Sequence, residues 1–348
     1  MSNRWDFGRI NPHFQYGTLH FDNDGIISNY FHFNEKYWKE YDDKIELLNE
    51  NFEVTSRFKK NNNYLIGDFW DGVNWHKNVH WLKKNTDVDV VFKPDYRKIN
   101  DIKNILSENI LTVVKKYKRL CILDFFCPID TKDIVGSGPM FGNIGDSIQL
   151  LGIYKLLEDN KINIPIRTIF RDSLKKYNRL ENELLIINGW IIDQVEDPII
   201  PTNDVLFVGV HGVNENLIKT FKSTKYPIGC RDFSTLGALK NINRNVYFSG
   251  CTTLLFDKYE GERNGVVCTD CPLEKDAIYQ THLICNISPA DQLLVSSQLI
   301  NMYKTKKLVY TSRLHCALPC IAMGTPVILK QFPDQPRTEL IKYIERNV

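Results

Sequence analysis

Lys307-Leu308-Val309-Tyr310 is a short apolar run leading into Thr311-Ser312-Arg313-Leu314-His315-Cys316-Ala317-Leu318-Pro319-Cys320, after which Met323-Gly324-Thr325-Pro326 opens Val327-Ile328-Leu329. The pattern reads as strand, turn, helix and strand, with Gly324 ending the helix and Pro326 leading into the second strand. The turn also carries chemistry. Arg313 offers a planar, always-charged donor set for phosphate or carboxylate. His315 can pass a proton near neutral pH. Backbone N–H groups at a helix entrance favour anions. Residues two apart do not share a face of a regular helix. Arg313 and His315 therefore serve one pocket only from an irregular entry turn. Pro319 lacks the N–H that would bond the His315 carbonyl, which predicts a short or kinked first turn.

Outward from this unit, the chain from about 101 alternates helix and strand. Helical spacing runs over 101–116, 147–158, 216–221, 233–240 and 291–303. Strands are expected at 120–126, 164–170, 183–188, 205–210, 227–230, 245–248, 282–287 and 307–310. Continuous apolar runs such as Leu120-Cys121-Ile122-Leu123 suit buried parallel strands. This is an α/β chain with parallel sheets, and its length suits two Rossmann-like lobes, 101–225 and 226–348. Residues 1–100 differ. Turn signals (Asn23-Asp24-Gly25, Asn61-Asn62-Asn63, Asp71-Gly72) separate short runs near 18–21, 26–30, 45–48, 53–58 and 64–69, which predicts a small, aromatic-rich antiparallel β module.

Two further motifs sit where strands meet helices. Gly142-Asn143-Ile144-Gly145-Asp146-Ser147 enters a helix. Its glycines let backbone approach a ligand, and Asp146 or Ser147 can cap. Val135-Gly136-Ser137-Gly138-Pro139 adds a lip upstream. Gly229-Cys230-Arg231-Asp232-Phe233-Ser234 ends a strand and starts a helix, the place where open α/β sheets gather ligands. Arg231 there either binds an anion or pairs with Asp232 or another acid. In the first module, Trp5, Trp38, Trp70, Trp75 and Trp81 either fill a small core or stack on sugars. His76 and His80, four apart, could hold a metal only on a helix.

Composition sets limits. Lys and Arg number 44 against 42 Asp and Glu, a net charge of +2 that argues against a dedicated nucleic-acid binder. No apolar run approaches the roughly 18 residues of a membrane span, and no signal peptide is read at the N-terminus. The nine cysteines read as reduced thiols, Cys268-Thr269-Asp270-Cys271 being a single CxxC without a second pair.

Taken in order, Gly142-Asn143-Ile144-Gly145-Asp146, Gly229-Cys230-Arg231-Asp232 with Ser234, and Thr311-Ser312-Arg313-Leu314-His315 with Ala322-Met323-Gly324-Thr325-Pro326-Val327 resemble the polysaccharide pyruvyl transferase family over roughly 117 to 335. The resemblance implies a GT-B-like fold of two Rossmann-like lobes. It implies transfer of an enolpyruvyl group from phosphoenolpyruvate to two hydroxyls of a sugar, giving a cyclic ketal. By that resemblance Arg313 and Arg231 anchor the donor with Ser312, Ser234 and Gly324 beside them, His315 is the general acid, Asp146 is catalytic, and Gly142, Asn143 and Gly145 line the cleft near the acceptor. One departure stands out. Many members place an Asp-Pro pair after the strand that follows the Arg-bearing helix, where this chain has Tyr247-Phe248-Ser249-Gly250-Cys251-Thr252-Thr253-Leu254. A branch using another donor would fit that difference.

The leading expectation is a cytoplasmic transferase, with the inner membrane face as a further station. It needs no metal or cofactor, and it takes a small anionic donor and a glycan or lipid-linked oligosaccharide acceptor. A glycosyltransferase holding a nucleotide-sugar diphosphate on the same two arginines is the second reading. A non-catalytic glycan-binding protein acting through residues 1–100 is the third.

Overall fold

A computed structural model of the chain describes residues 4–10, 14–27, 32, 34–60, 64–84, 91–125, 142–191, 203–213, 217–271, 273–274, 276–284, 288–330 and 338–346. The lip at 135–139 lies outside them. The chain divides into two compact units, Met1–Val90 with Cys271–Ile278, and Val91–Asp270 with Tyr279–Val348.

The first unit holds β1 (Arg4–Arg9), β2 (Phe14–His20), β3 (Tyr37–Glu40), β4 (Lys44–Leu48), β5 (Val54–Lys59), β6 (Tyr64–Trp70) and β7 (Trp75–Lys84). They form one antiparallel sheet in the order β2-β1-β7-β6-β5-β4-β3. Single bridges from Phe21 to Ile27 and from Ile26 to Tyr37 draw its two edges toward each other. The concave core is apolar: Trp5, Phe7, Leu19, Phe21, Ile45, Leu47, Phe58, Leu65 and Leu82. The β module is thus as expected in kind. The strands Arg4–Arg9, Tyr37–Glu40 and Trp75–Lys84 were not expected, and of the run at 26–30 only the bridges of Ile26 and Ile27 are described.

Trp75–Lys84 is a strand, so the metal reading of His76 and His80 does not hold: four residues along a strand span about 13 Å. His76 is exposed and bonds Asp71 at 2.6 Å, while His80 is buried against the Ser56 hydroxyl at 3.0 Å. The tryptophans divide. Trp5, Trp38 and Trp81 serve the core, Trp38 stacking on Phe21 at 4.6 Å. Trp70 and Trp75 pair at the hairpin, where the Arg57 guanidinium lies 4.6 Å from the Trp75 ring.

The second unit runs α1 (Tyr96–Val114), β8 (Arg119–Asp124), β9 (Gly142–Asn143), α2 (Ile144–Asp159), β10 (Ile166–Phe170), β11 (Glu183–Trp190), β12 (Val205–His211), α3 (Ile218–Ser223), β13 (Ile228–Cys230), α4 (Phe233–Lys240), β14 (Val246–Phe248), β15 (Val266–Thr269), β16 (Ala277–Gln280, whose first two residues count with the first unit), β17 (Leu283–Ile284), α5 (Pro289–Lys304), β18 (Leu308–Thr311), α6 (Leu314–Met323), β19 (Val327–Leu329) and α7 (Glu339–Ile344). Six strands form a parallel sheet in the order β10-β8-β11-β12-β13-β14. A second sheet, β16-β15-β18-β19, has a parallel core of β15, β18 and β19. The α/β class with parallel sheets is therefore present.

Helix α1 buries Ile99, Ile102, Leu106, Ile110 and Val113, the three-and-four spacing of an apolar stripe. Helix α2 buries almost its whole length, and a Cβ on Gly152 would sit 2.2 Å from the Thr252 carbonyl oxygen. Two expected boundaries fall inside continuous structure: 100 lies within α1, and 225 precedes β13 and β14, which pair into the first sheet. Strand β15 and helix α7 were not expected; each is short, too brief for periodicity to register.

Candidate functional site

The third motif folds as its turn chemistry requires. Thr311 ends β18, and its hydroxyl accepts the Arg313 N–H at 2.9 Å. Arg313 is then the N-cap of α6 in extended geometry (φ −103°, ψ 126°). His315 is the second helical residue, so both motif residues do sit in the entry turn. The Ala317 N–H closes that turn onto the Arg313 carbonyl at 2.9 Å, and Pro319 lies within the ten-residue helix.

His315 is 8% exposed and stands at the centre of the site. Its Nδ1 lies 3.4 Å from Asp146 Oδ1, and its Nε2 lies 3.4 Å from Nη1 of Arg231, which is 3% exposed. Three motifs separated by up to 169 positions thus converge on one imidazole. Burial penalises the charged ring, but hydrogen bonds to Asp146 and to Cys251 outweigh it and raise the His315 pKa above its ordinary value. Cys251 shows the converse. Burial disfavours its thiolate, yet the His315 hydrogen bond and the charge of Arg231 hold its pKa below the usual value. A protonated imidazole here is therefore an internal electrostatic arrangement.

The first motif reaches the site from a two-stranded ladder. Asn143 and Gly142 in β9 pair with Leu283 and Ile284 in β17, and the Ile144 N–H donates to the His282 carbonyl at 2.9 Å. Asn143 caps α2 by accepting the Gly145 N–H at 3.0 Å; the caps expected at Asp146 or Ser147 are not used. Asp146 is thereby released to face His315, and it also accepts from Gln149 Nε2 at 3.2 Å. Gly145 is dictated by space: a Cβ there would lie 2.9 Å from His315 Cβ, 3.1 Å from Asn143 Oδ1 and 3.1 Å from His282 Nδ1.

The second motif behaves differently from a simple Arg–Asp pair. Asp232 caps α4 by accepting the Thr235 N–H at 2.8 Å and bonds His211 Nδ1 at 2.5 Å. Burial raises its pKa, but those partners outweigh it and hold the carboxyl below its usual range. Ser234 bonds the Glu339 carboxylate through its N–H and hydroxyl, on an exposed face away from His315. Gly324 is the left-handed C-cap of α6 (φ 76°), about 15 Å along the helix from its entrance. Neither is brought to the imidazole. Ser312 turns its hydroxyl onto the Asp270 carbonyl, and Arg313 Nε bonds Asp270 Oδ2 at 2.8 Å with a third of its side chain exposed.

Several residues escaped the sequence reading. Asp270 is a node holding Arg313, the Thr281 hydroxyl at 2.6 Å and the His282 N–H at 2.9 Å. His282 is buried, bonds Tyr303 at 2.9 Å through Nε2, and has no hydrogen-bond partner on Nδ1 among the described residues. Asn188, at the carboxyl end of β11, has neither side-chain polar atom bonded there, an unusual state for a fully buried amide. Gln149 was not singled out either; its place three residues after Asp146 on one helix face is the signal that could have found it. Cys251 stands within the stretch that departs from the Asp-Pro pattern. Among the described residues no cluster of three or more metal-ligating side chains forms, and no helix is long and apolar enough to cross a membrane.

The arrangement suits acid catalysis on an anion: a buried guanidinium, a proton-bearing imidazole beside it and a carboxylate behind. Among solved structures, a functionally uncharacterized protein from Klebsiella pneumoniae subsp. pneumoniae NTUH-K2044 is similar at 16% identity, covering 70% of this chain and 94% of that one with a TM-score of 0.43. No curated protein sequence matches. The family model for polysaccharide pyruvyl transferase matches residues 143–329, more than half of the chain and all three motifs but for Gly142. This chain therefore belongs to the polysaccharide pyruvyl transferase family.

Proposed function

We propose that the protein transfers the enolpyruvyl group of phosphoenolpyruvate to two hydroxyls of one sugar in a glycan, forming a cyclic ketal and releasing inorganic phosphate. The observation that carries this reading is the contact between Arg231 and His315, two buried groups 3.4 Å apart that repel when both are charged. A dianionic donor seated on them relieves that repulsion, and an arginine fork matches a phosphate or carboxylate. In this reading Arg231 and Arg313 hold the donor, and the two parallel sheets are the lobes of a GT-B-like fold. Asn143 and Gly145 border the acceptor.

The chemistry follows in two additions. His315 gives a proton to the donor's methylene carbon, leaving oxocarbenium character at the adjacent carbon, and the first sugar hydroxyl attacks there. The proton of that hydroxyl returns to the imidazole, with Asp146 steadying the charged ring. Departure of phosphate regenerates the cation. The second hydroxyl closes the ketal, and its proton leaves with the phosphate as the hydrogen phosphate dianion. No net proton is gained or lost by the protein.

The test is phosphate release from phosphoenolpyruvate across a glycan panel, with UDP-, GDP- and CMP-sugars run in parallel by thermal shift. Stabilisation by phosphoenolpyruvate and loss of turnover in His315→Ala at unchanged melting temperature support the reading. Stabilisation by a nucleotide sugar alone overturns it in favour of glycosyl transfer.

A further inference from the structure

The first unit contains a cavity of about 340 Å³ lined by Phe7, Arg9, Tyr16, His32, Asn34, Glu35, Phe69, Val79 and His80. Its lining differs from the apolar core of that unit in composition: with Phe7, which also belongs to that core, Tyr16, Phe69 and Val79, it carries a carboxylate, a guanidinium, an amide and two imidazoles. Glu35 is only 3% exposed and bonds His32 Nδ1 at 2.7 Å. The short turn bearing both is pinned to β5, because the Thr55 hydroxyl donates to the Asn34 carbonyl at 2.6 Å. His80 is enclosed by Phe7 at 5.0 Å, Phe69 at 4.9 Å and Tyr16 at 5.8 Å between ring centroids. Burial lowers its pKa to about 4, so it is a neutral ring near pH 7, with Nδ1 taken by Ser56.

We propose that this cavity binds one pyranose ring of a neutral sugar. Its volume lies at the lower end of the range for small-molecule sites, about 300–1,000 Å³, which suits a single ring better than an extended ligand. The polar wall mixes signs. An anion would meet Glu35 and a cation would meet Arg9, whereas vicinal hydroxyls donate to the carboxylate and accept from the guanidinium and the Asn34 amide. The C–H face of the ring would lie on Tyr16, which is 39% exposed at the mouth. A buried carboxylate beside aromatic rings is costly unless it is hydrogen-bonded, and hydroxyl donors add to the His32 bond. The proposal stands on the first unit alone and does not rest on the transferase reading.

The experiment is calorimetric titration of the full chain with methyl glucoside, methyl galactoside, methyl mannoside and methyl N-acetylglucosaminide, with glucuronate and glucosamine as charged controls. The same titrations are run on Glu35→Gln, Tyr16→Ala and Asp146→Asn. At least one neutral pyranoside is expected to bind, more tightly than both charged sugars. Its affinity should fall at least fivefold in Glu35→Gln and in Tyr16→Ala, with melting temperatures unchanged, and stay within twofold in Asp146→Asn. Burial raises the Glu35 pKa above its usual value, and Glu35→Gln keeps the shape of the side chain, so an unchanged melting temperature separates lost binding from misfolding. No binding by any neutral pyranoside at millimolar concentration overturns the proposal. So does binding that survives both first-unit variants, or that is lost only in Asp146→Asn.

Discussion

Gly145 and His315 touch so closely that a β-carbon on the first would stand 2.9 Å from the β-carbon of the second. The other two neighbours of that virtual atom are the Asn143 and His282 side chains, both at 3.1 Å. All three are held by other bonds. Gly145→Ala should therefore displace the imidazole from Asp146 and Arg231. Alanine is worth about 1 kcal/mol over glycine in a helix, while overpacking costs about 1–3 kcal/mol. Turnover should drop more than tenfold with a melting temperature within a few degrees of the parent. A steady-state assay with a thermal melt checks both, and full activity would show that the imidazole tolerates the shift.

The carboxylate of Asp146 helps hold His315 protonated. A group whose folded pKa is raised adds stability that is complete below its unfolded pKa, about 6.5 for histidine, and that fades as pH rises through the folded value. In the proposed reaction the same proton is the one delivered to the donor. Asp146→Asn should move the alkaline limb of the pH–rate profile to lower pH and reduce the stability gained on acidifying toward 6.5, Cys251 supplying the remainder. Rates measured from pH 5.5 to 9 decide this, and an unmoved alkaline limb would separate His315 from the proton step.

Arg231 and Arg313 should not be equivalent. Arg231 is almost wholly buried beside His315, whereas Arg313 shares Asp270 and is a third exposed. A lysine in place of Arg231 loses the planar fork, and charge-assisted hydrogen bonds are worth about 1.5–3 kcal/mol, so kcat/KM for the donor should fall at least tenfold. In the double variant with His315→Ala the losses should be far from additive, since the two groups are in contact and share one ligand in the proposed reaction. Additive losses would place Arg231 outside the donor site.

Two glycine- and serine-based substitutions separate packing from chemistry. Gly152→Ala drives a Cβ to within 2.2 Å of the Thr252 carbonyl, a backbone atom that cannot rotate away. It should cost at least about 3 kcal/mol or leave the protein insoluble. Ser234→Ala loses the exposed hydroxyl bond to Glu339, keeps the one from the backbone N–H, and should cost about 1 kcal/mol or less, with kcat unchanged. A large fall in turnover on changing Ser234 would return it to the donor site.

How much of this was legible follows from range. The entry turn at Arg313 was readable because helical spacing, a proline and a closing glycine all act within a dozen residues. The alternation of the second unit was readable because buried strands of the six-stranded sheet, such as Leu184 to Ile187, are continuously apolar. The reason for Gly145 was not, because its partner is 170 positions away and contact is a property of the fold. Asp270 looked like half of a CxxC spacer until its three bonds appeared. The strand Trp75–Lys84 was hidden for another reason: among its described side chains the buried ones are the consecutive His80, Trp81 and Leu82, which point to alternate faces and so show no one-sided period.

The ladder between Gly142–Asn143 and Leu283–Ile284 has a consequence during synthesis. The carboxylate leaves the ribosome early, with the first parallel sheet still incomplete, and the imidazole leaves it late. Until β17 emerges, nothing in that pairing holds the α2 entrance. Until α6 emerges, Asp146 has no ring to charge. Joining such distant segments carries a closure entropy that grows only with the logarithm of loop length. In the proposed reaction a chain that ends before α6 carries the carboxylate without its acid, and activity would report that the last helix-bearing segment of the motif has been made and packed.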